Sequence, residues 1–474
     1  MPPVGPLVRS RFLVRVSRED GDAAYFHSLL GTSLVLNPAA EALLDGFAAP
    51  TAVDRLTPEL RTLVARRFLV DATADERAEF VRHMRPDAPE TGAHLQGLLL
   101  LAAEQCNLAC PYCIKDKLMD LRPDRPQARI AIETARHAID AFLAVAERGP
   151  HTDLGLQFRG GEALLNAEVV LDATRYMRAR WMRGDVIASM VSNATLVTDA
   201  LARSLAELGI TVEVSIDGPR AVHNLVRVTK GGRPTYDRVV AGFARLVAAG
   251  VEVTNVNTTV TAETLPLIDA SFFAELARLG VRHVNLEPDV LRPVLPDPRE
   301  LAARVLALRA LANAHGVELL GCWGRAVRAL ALVRRGAPLP PPADYALLIV
   351  DALGHVVPWE YNGVRDLGPV ADLPAVLASE AFRRHAESRS AGRIPECVGC
   401  EVEGLCQGNA STTLVYERAT GRSGLFEHRC ELIRAMTRGV VATARAFDPP
   451  SPRSSRRRRR RPRRRGAAVA HSAG

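Results

Sequence analysis

Seven of the chain's eight cysteines fall into two groups whose spacing can do chemistry. Cys106, Cys110 and Cys113 make a C-x₃-C-x₂-C run. Three thiolates on one tight loop can hold three irons of a [4Fe–4S] cluster and leave the fourth iron open to a small molecule. Spacing alone leaves zinc, or three unrelated thiols, as the alternative. The second group is Cys397, Cys400, Cys406 and Cys430, a C-x₂-C-x₅-C run with the last cysteine after a further 23 residues. Four thiolates close the coordination of a [4Fe–4S] cluster or of a zinc ion. Cys322, in Gly321-Cys322-Trp323-Gly324, stands outside both groups. A buried small apolar residue is the favoured reading for it over a hydrogen-atom donor, because free cysteine is commonly buried.

These loops need a frame, and the hydrophobic pattern supplies one. From Gly97 short apolar strands alternate with long helical segments. The strands are Leu98–Ala103, Leu154–Phe158, Val186–Val191, Thr211–Ile216, Val251–Val260 and His283–Leu286. The helices are Ile130–Ala146, Ala163–Met182, Asp199–Leu208, Tyr236–Ala249, Leu265–Leu279 and Arg299–His315. Six β/α units in a row predict an α/β fold, a parallel sheet curved into a partial (β/α)6 barrel over residues 97–315. Nothing after His315 supplies the two further units of a full barrel. The first cysteine loop follows the first strand, at the strand end where barrel active sites sit.

Residues 1–80 read as a small α+β unit. Arg11–Val16, Tyr25–Leu36 and Phe68–Val70 are strand-like, and helices start at Asn37-Pro38 and Thr57-Pro58. Residues 82–96 read as a flexible linker. On the far side, the proline run Pro338–Pro342 precedes a hairpin-like stretch, Ala346–Val357, and a cysteine-rich region over 343–447.

Composition narrows the function. The 474 residues are 47% hydrophobic and 24% charged, the balance of a globular protein. No apolar run approaches the ~20 residues of a membrane span. Met1–Leu13 lacks the pattern of a secretory signal. The cysteines are therefore expected in a reducing cytoplasm, where clusters of them point to metal or catalysis. The net charge of +8 comes from a tail: ten arginines lie between Arg453 and Arg465, and removing them leaves −2. The body thus makes no case for a nucleic-acid enzyme. The tail, 451–474, reads as a disordered, solvated extension.

Further motifs fall at the same ends of the predicted strands. Arg159-Gly160-Gly161-Glu162 follows the second strand and Ser192-Asn193 the third; Ser215-Ile216-Asp217-Gly218 ends the fourth, and Tyr112 directly precedes Cys113. With these motifs the sequence resembles the radical S-adenosylmethionine (SAM) superfamily over about Gly97–Pro288. The resemblance implies that the open iron binds the methionine part of SAM, and that one electron cleaves SAM to a 5′-deoxyadenosyl radical that takes hydrogen from substrate. It implies that Gly160 and Gly161 admit the methionine amine, that Glu162 accepts from it, and that Ser215 and Arg227 hold the carboxylate. Ser192 and Asn193 would contact methionine or ribose, Tyr112 would lie by the adenine, and Asp217 would join them or merely cap a turn. The superfamily's usual proline after Gly-Gly-Glu is here Ala163.

The second thiol group resembles the SPASM extension of radical SAM peptide-modifying enzymes, which commonly carries enough cysteines for two auxiliary clusters. Here the cysteine expected four positions beyond Cys406 is Ala410. A further one is replaced at Trp359, and its earlier partner is missing near Ala343–Tyr345. The resemblance therefore implies one auxiliary [4Fe–4S] cluster, fully protein-ligated, with zinc as the alternative. Residues 1–80 resemble the winged-helix-like leader-binding domains of peptide maturases. Together these imply a radical SAM, SPASM-type maturase that crosslinks or epimerises a ribosomally made precursor peptide, with a flavodoxin or ferredoxin as electron donor. The alternatives are a formylglycine-forming sulfatase maturase and a non-catalytic iron–sulfur electron carrier or redox sensor.

Overall fold

A computed structural model describes residues 4–17, 21–84, 91–120, 126–324, 347–358, 366–388, 392–406, 408 and 410–443. The tail 451–474, the proline run Pro338–Pro342, Ala343–Tyr345 and Trp359 lie outside the described residues. The chain opens with β1 (Val4–Arg9), β2 (Leu13–Ser17), β3 (Ala23–His27), β4 (Ser33–Leu36), α1 (Pro38–Asp45), β5 (Thr51–Val53), α2 (Pro58–Ala65), β6 (Leu69–Asp71) and α3 (Glu76–Met84). They form two antiparallel three-stranded sheets, in the orders β5-β1-β6 and β2-β3-β4. Asn37 and Thr57 cap α1 and α2 through their side chains, with proline next in line, as expected. β1 and β5 carry no signal in the sequence pattern; their pairing partners lie more than 40 residues along the chain, at Val53 for Val4 and Asp71 for Leu7.

β3 is buried at all five residues, which is uncommon in an antiparallel strand. Ala23 and Tyr25 face a small local core with Leu7, Leu44, Phe47 and Phe68. Ala24 and Phe26, with Val14 and Val16 of β2, enter the main core of the molecule instead. The N-terminal sheet is therefore sandwiched, and the N-terminal unit shares the main core. Arg11 pairs with Glu403, whose side chain is fully buried, and Arg77 Nε donates to Gly392 O at 2.8 Å. Gly404 is a close approach: a Cβ there would come within 2.7 Å of Ser28 O.

The large sheet is built from β7 (Gly97–Ala103), β8 (Leu154–Gly160), β9 (Val186–Ser192), β10 (Thr211–Ser215), β11 (Val253–Val260), β12 (His283–Pro288), β13 (Glu318–Gly321), β14 (Leu347–Val350), β15 (His355–Val356) and β16 (Gly368–Pro369). Their order is β13-β12-β11-β10-β9-β8-β7-β14-β15-β16. The six predicted parallel strands are consecutive neighbours. Two more parallel strands flank them, β13 beside β12 and β14 beside β7. β14 reaches β7 from some 250 residues away, which no local pattern encodes. β7 is apolar and buried throughout, as a strand covered on both faces must be. Leu98, Leu100 and Ala102 face the main core, and Leu99 and Leu101 meet Ile349 on the other side.

The crossover helices are α4 (Ile114–Met119), α5 (Ile132–Ala146), α6 (Ala167–Arg180), α7 (Asp199–Glu207), α8 (Arg220–Val226), α9 (Tyr236–Ala248), α10 (Ala270–Arg278) and α11 (Pro298–Ala314). In α9, Val239, Phe243 and Leu246 recur at helical spacing and are buried. The single helix expected over Leu265–Leu279 is split. Pro266 sits in a short 3₁₀ turn, and the Asp269 side chain accepts from Ser271 N at 2.9 Å to start α10 afresh. α8 is short and was not expected. Helices Ser411–Thr420 and Leu425–Thr443 close the described chain, and among the described residues no helix is long and apolar enough to cross a membrane.

Candidate active site at the strand ends

A cavity of about 300 Å3 opens at the C-terminal ends of the parallel strands. It is lined by Cys106, Cys110, Tyr112, Cys113, Gly160, Gly161, Glu162, Ser192, Asn193, Ser215 and Arg227, residues that the sequence analysis had singled out. Lys115, Thr259 and Glu287 also line it and had not been singled out.

The cysteine loop is pinned on both flanks. Ala109 N donates to Val228 O at 2.9 Å, and Leu108 bridges Thr229. Glu104 is buried and its carboxylate accepts from Ala128 N at 3.1 Å, while Lys115 Nζ donates to Glu104 O at 2.8 Å. The glycine pair answers to this loop. A Cβ on Gly160 would come within 2.1 Å of Ala103 O, and one on Gly161 within 2.3 Å of Gln105 O. Gly160 also has φ +139°, where side chains are strained. Only glycine lets β8 continue alongside residues 103–105, with Gly161 N on Ala103 O at 2.7 Å and Glu162 N on Gln105 O at 2.9 Å.

Glu162 ties three strand ends together. Its Oε1 accepts from Ser192 Oγ at 2.8 Å and Leu164 N at 3.1 Å, and its Oε2 from Asn193 N at 2.8 Å. Burial raises its pKa and these bonds oppose the rise. A carboxylate has about four lone-pair sites, so one acceptor position remains. Asn193 Nδ2 donates to Asn107 Oδ1 at 2.8 Å, and Asn107 Nδ2 to Thr195 Oγ1 at 2.8 Å. Asn107 thus locks the residue beside Cys106 to the third strand end; an asparagine in a cysteine loop carries no distinguishing signal in sequence.

Asp217 is fully buried behind the cavity wall rather than in it. Its Oδ2 accepts from the Tyr112 hydroxyl and from Arg227 Nε at 2.7 Å, and its Oδ1 from Thr259 N at 2.8 Å. The Arg227 guanidinium lies 5.6 Å from the Tyr112 ring centroid. α8 delivers both Arg227 and His223. Burial holds His223 down at about 4, with Asp217 opposing. Its Nδ1 accepts from Asp217 N at 3.3 Å. Asp217 therefore joins the cysteine loop, β10 and the segment after α8.

Burial pushes the three thiols upward, Cys113 to about 11, so a metal bound there must displace their protons. Their soft sulfurs, shared cavity and the open volume beside them fit a site-differentiated iron–sulfur cluster and a small ligand.

The second thiol group lies elsewhere. Cys397 ends a 3₁₀ turn, Cys406 ends the short helix Glu403–Cys406, and Cys430 sits on helix Leu425–Thr443. Cys400 N donates to Cys397 O at 3.0 Å. Burial raises the Cys397 and Cys430 thiols, and each is raised further by Cys406 and by other members of the set. All four pack against the main core. Among the described residues no three Cys, His, Asp or Glu side chains are set to hold a single metal ion. Zinc takes four such thiolates at ~2.3 Å. A four-iron cluster takes the same all-sulfur donor set.

Comparison with known proteins agrees with this frame. Residues 101–265 match the radical SAM superfamily, so the chain carries a radical SAM domain. The radical SAM cyclopropyl synthase TigE of Paramaledivibacter caminithermalis is 22% identical over 437 residues, spanning 85% of this chain and 89% of the relative. The serine-type anaerobic sulfatase-maturating enzyme of Bacteroides thetaiotaomicron is 30% identical over 148 residues, 31% of this chain and 35% of the relative. Among solved structures, native anSMEcpe with bound AdoMet superposes with a TM-score of 0.55 at 18% identity, covering 72% of this chain and 99% of that one. At that identity the likeness is one of fold.

Proposed function

We propose that the protein is a radical SAM maturase that installs a crosslink or an epimerised residue in a ribosomally made peptide. The observation that carries the reading is the meeting of Cys106, Cys110 and Cys113 with Gly161, Glu162, Ser192, Asn193, Ser215 and Arg227 around one cavity. These residues arrive from four different strand ends. When bound, the cluster supplies the electron that cleaves S-adenosylmethionine to the radical that abstracts hydrogen.

The chain's own part is binding and orientation. The three thiolates hold the cluster. The spare acceptor position of Glu162 receives the methionine amine, and Arg227, its Nε engaged by Asp217, turns its remaining donors to the carboxylate. Tyr112, anchored by its hydroxyl, offers an apolar wall to the adenine. Cys397, Cys400, Cys406 and Cys430 hold an auxiliary cluster in the region 343–447. Residues 1–80 read the leader, with β4 at one edge of its sheet and Val35 exposed on it. The likeness in fold to anSMEcpe, solved with bound AdoMet and the Kp18Cys peptide, supports a peptide rather than a small-molecule substrate.

The test is anaerobic incubation of reconstituted protein with SAM, a low-potential reductant and the peptide encoded beside its gene. A product lacking two hydrogens, or one of unchanged mass with an inverted residue on chiral analysis, supports the reading. Reductant-dependent SAM cleavage that no peptide stimulates or consumes would exclude a peptide maturase.

A further inference from the structure

An ion pair joins the cavity lining to the helix that carries Cys430. Glu287, near the end of β12, lines the cavity. Its Oε2 accepts from Arg429 Nη2 at 2.8 Å. Arg429 directly precedes Cys430 on helix Leu425–Thr443. Its side chain is only 12% exposed, so salt and water screen it weakly. A guanidinium keeps its charge at any working pH. Cys322, buried just after β13, belongs to the same group. Burial pushes its thiol up to about 12, with Arg429 pulling it down and Glu287 and Cys406 raising it. One arginine therefore touches a cavity-lining carboxylate with its guanidinium while its backbone is bonded to Cys430 of the second set.

An arginine in such a place is costly unless its charge is used. We propose that Arg429 is a positioning residue that couples the two sites: it fixes Glu287 at the cavity wall, and its permanent positive charge makes an iron–sulfur group on Cys397, Cys400, Cys406 and Cys430 easier to reduce. The inference rests on the reading of that set as a cluster site. Reduction adds one electron to the cluster, and a fixed cation in a poorly solvated wall stabilises the added charge. Glu287 partly neutralises the cation and so limits the effect.

The test uses full-length protein with Cys106, Cys110 and Cys113 replaced by alanine, so that the second set is read alone in a redox titration followed by electron paramagnetic resonance. Arg429→Met should shift the reduced-to-oxidised ratio at fixed potential about tenfold toward oxidised, about 59 mV for one electron. Arg429→Lys, which keeps the charge, should shift it less. Glu287→Gln should shift it the other way. Unchanged midpoints in Arg429→Met and Glu287→Gln, with iron retained, would overturn the inference and leave the cluster reading intact. If Arg429→Met loses its iron, Glu287→Gln decides alone by the sign of its shift. If the cysteine-triple parent itself holds no iron, the cluster reading falls and the inference with it.

Discussion

The first thiol set hangs from the ends of parallel strands, where its loop is bonded to the second, third and fourth strand ends and to the segment after α8. The second is assembled from a turn, a four-residue helix and the last helix, with Arg11 of the N-terminal unit bracing Glu403 between Cys400 and Cys406. One site is therefore rigidified by a single sheet; the other depends on pieces distant in sequence that must dock. The contrast teaches where function and fragility should lie. Chemistry that needs fixed geometry belongs at the strand ends, and sensitivity to folding and to distant mutations belongs at the second set.

The sharpest way to break this contrast is to remove the N-terminal unit. A small unit on a flexible linker, as residues 1–80 read from sequence, would be removable without loss of SAM cleavage. The shared core formed by Val14, Val16, Ala24 and Phe26 reverses that expectation. Deletion should expose this apolar face and give aggregated protein with loss of iron from the second set first, read by solubility and iron content. A soluble truncation with full iron would restore the independent-unit view. Next, replacing Cys397, Cys400, Cys406 and Cys430 together by alanine should halve iron from about eight to about four per chain and abolish peptide product, while reductant-driven SAM cleavage persists.

A milder change probes each anchor. Asp217→Asn leaves Arg227 and Tyr112 with a neutral partner in a buried site, and should weaken SAM binding at least tenfold and lower stability by about 3 kcal/mol. Arg11→Ala strands the buried Glu403 carboxylate and should likewise cost about 3 kcal/mol, with iron lost selectively from the second set and SAM affinity unchanged. Thermal melts and SAM titrations separate the two. If both variants lose the same cluster, the two sites are not built independently.

The smallest effect concerns pH. Burial holds His27, in the N-terminal unit, down at about 4, with Arg67 adding to the fall. An unfolded histidine takes its proton near 6.5, so the unfolded state binds more protons between pH 6.5 and 4. Stability is complete above pH 6.5 and falls as pH drops through this window, by up to ~1.4 kcal/mol per pH unit from this group. Denaturant melts from pH 7 to 5 should show that slope reduced in His27→Gln. An unaltered slope would mean that His27 is not buried neutral.

Much of the frame was legible because it is local. The β/α alternation gave six strands at nearly their observed bounds, and the cysteine, Gly-Gly-Glu and Ser-Asn motifs are short enough to read directly. What escaped is carried by distance. β13 is a short strand defined only by its neighbour, and β14, the first arm of the expected hairpin with β15, carries no sign of its parallel pairing with β7. Asp217 resembled a turn residue, and only the fold brings Tyr112 from more than 100 residues away onto its carboxylate. Asn107 looked like filler inside the cysteine loop until its amide network was seen. Glu287 and Arg429, 142 residues apart, carry no motif at all. The glycines were legible as required but for a further reason: their missing Cβ atoms admit residues 103–105 of the chain itself.

The central claim is that the three thiols at the strand ends are the seat of SAM chemistry. It is tested most directly by anaerobic 5′-deoxyadenosine formation in the wild-type protein and in the Cys106→Ala, Cys110→Ala, Cys113→Ala variant, each checked for iron. The prediction is reductant-dependent 5′-deoxyadenosine from the wild type and none from the variant, which keeps about four iron on the second set. Equal 5′-deoxyadenosine from both proteins would contradict it.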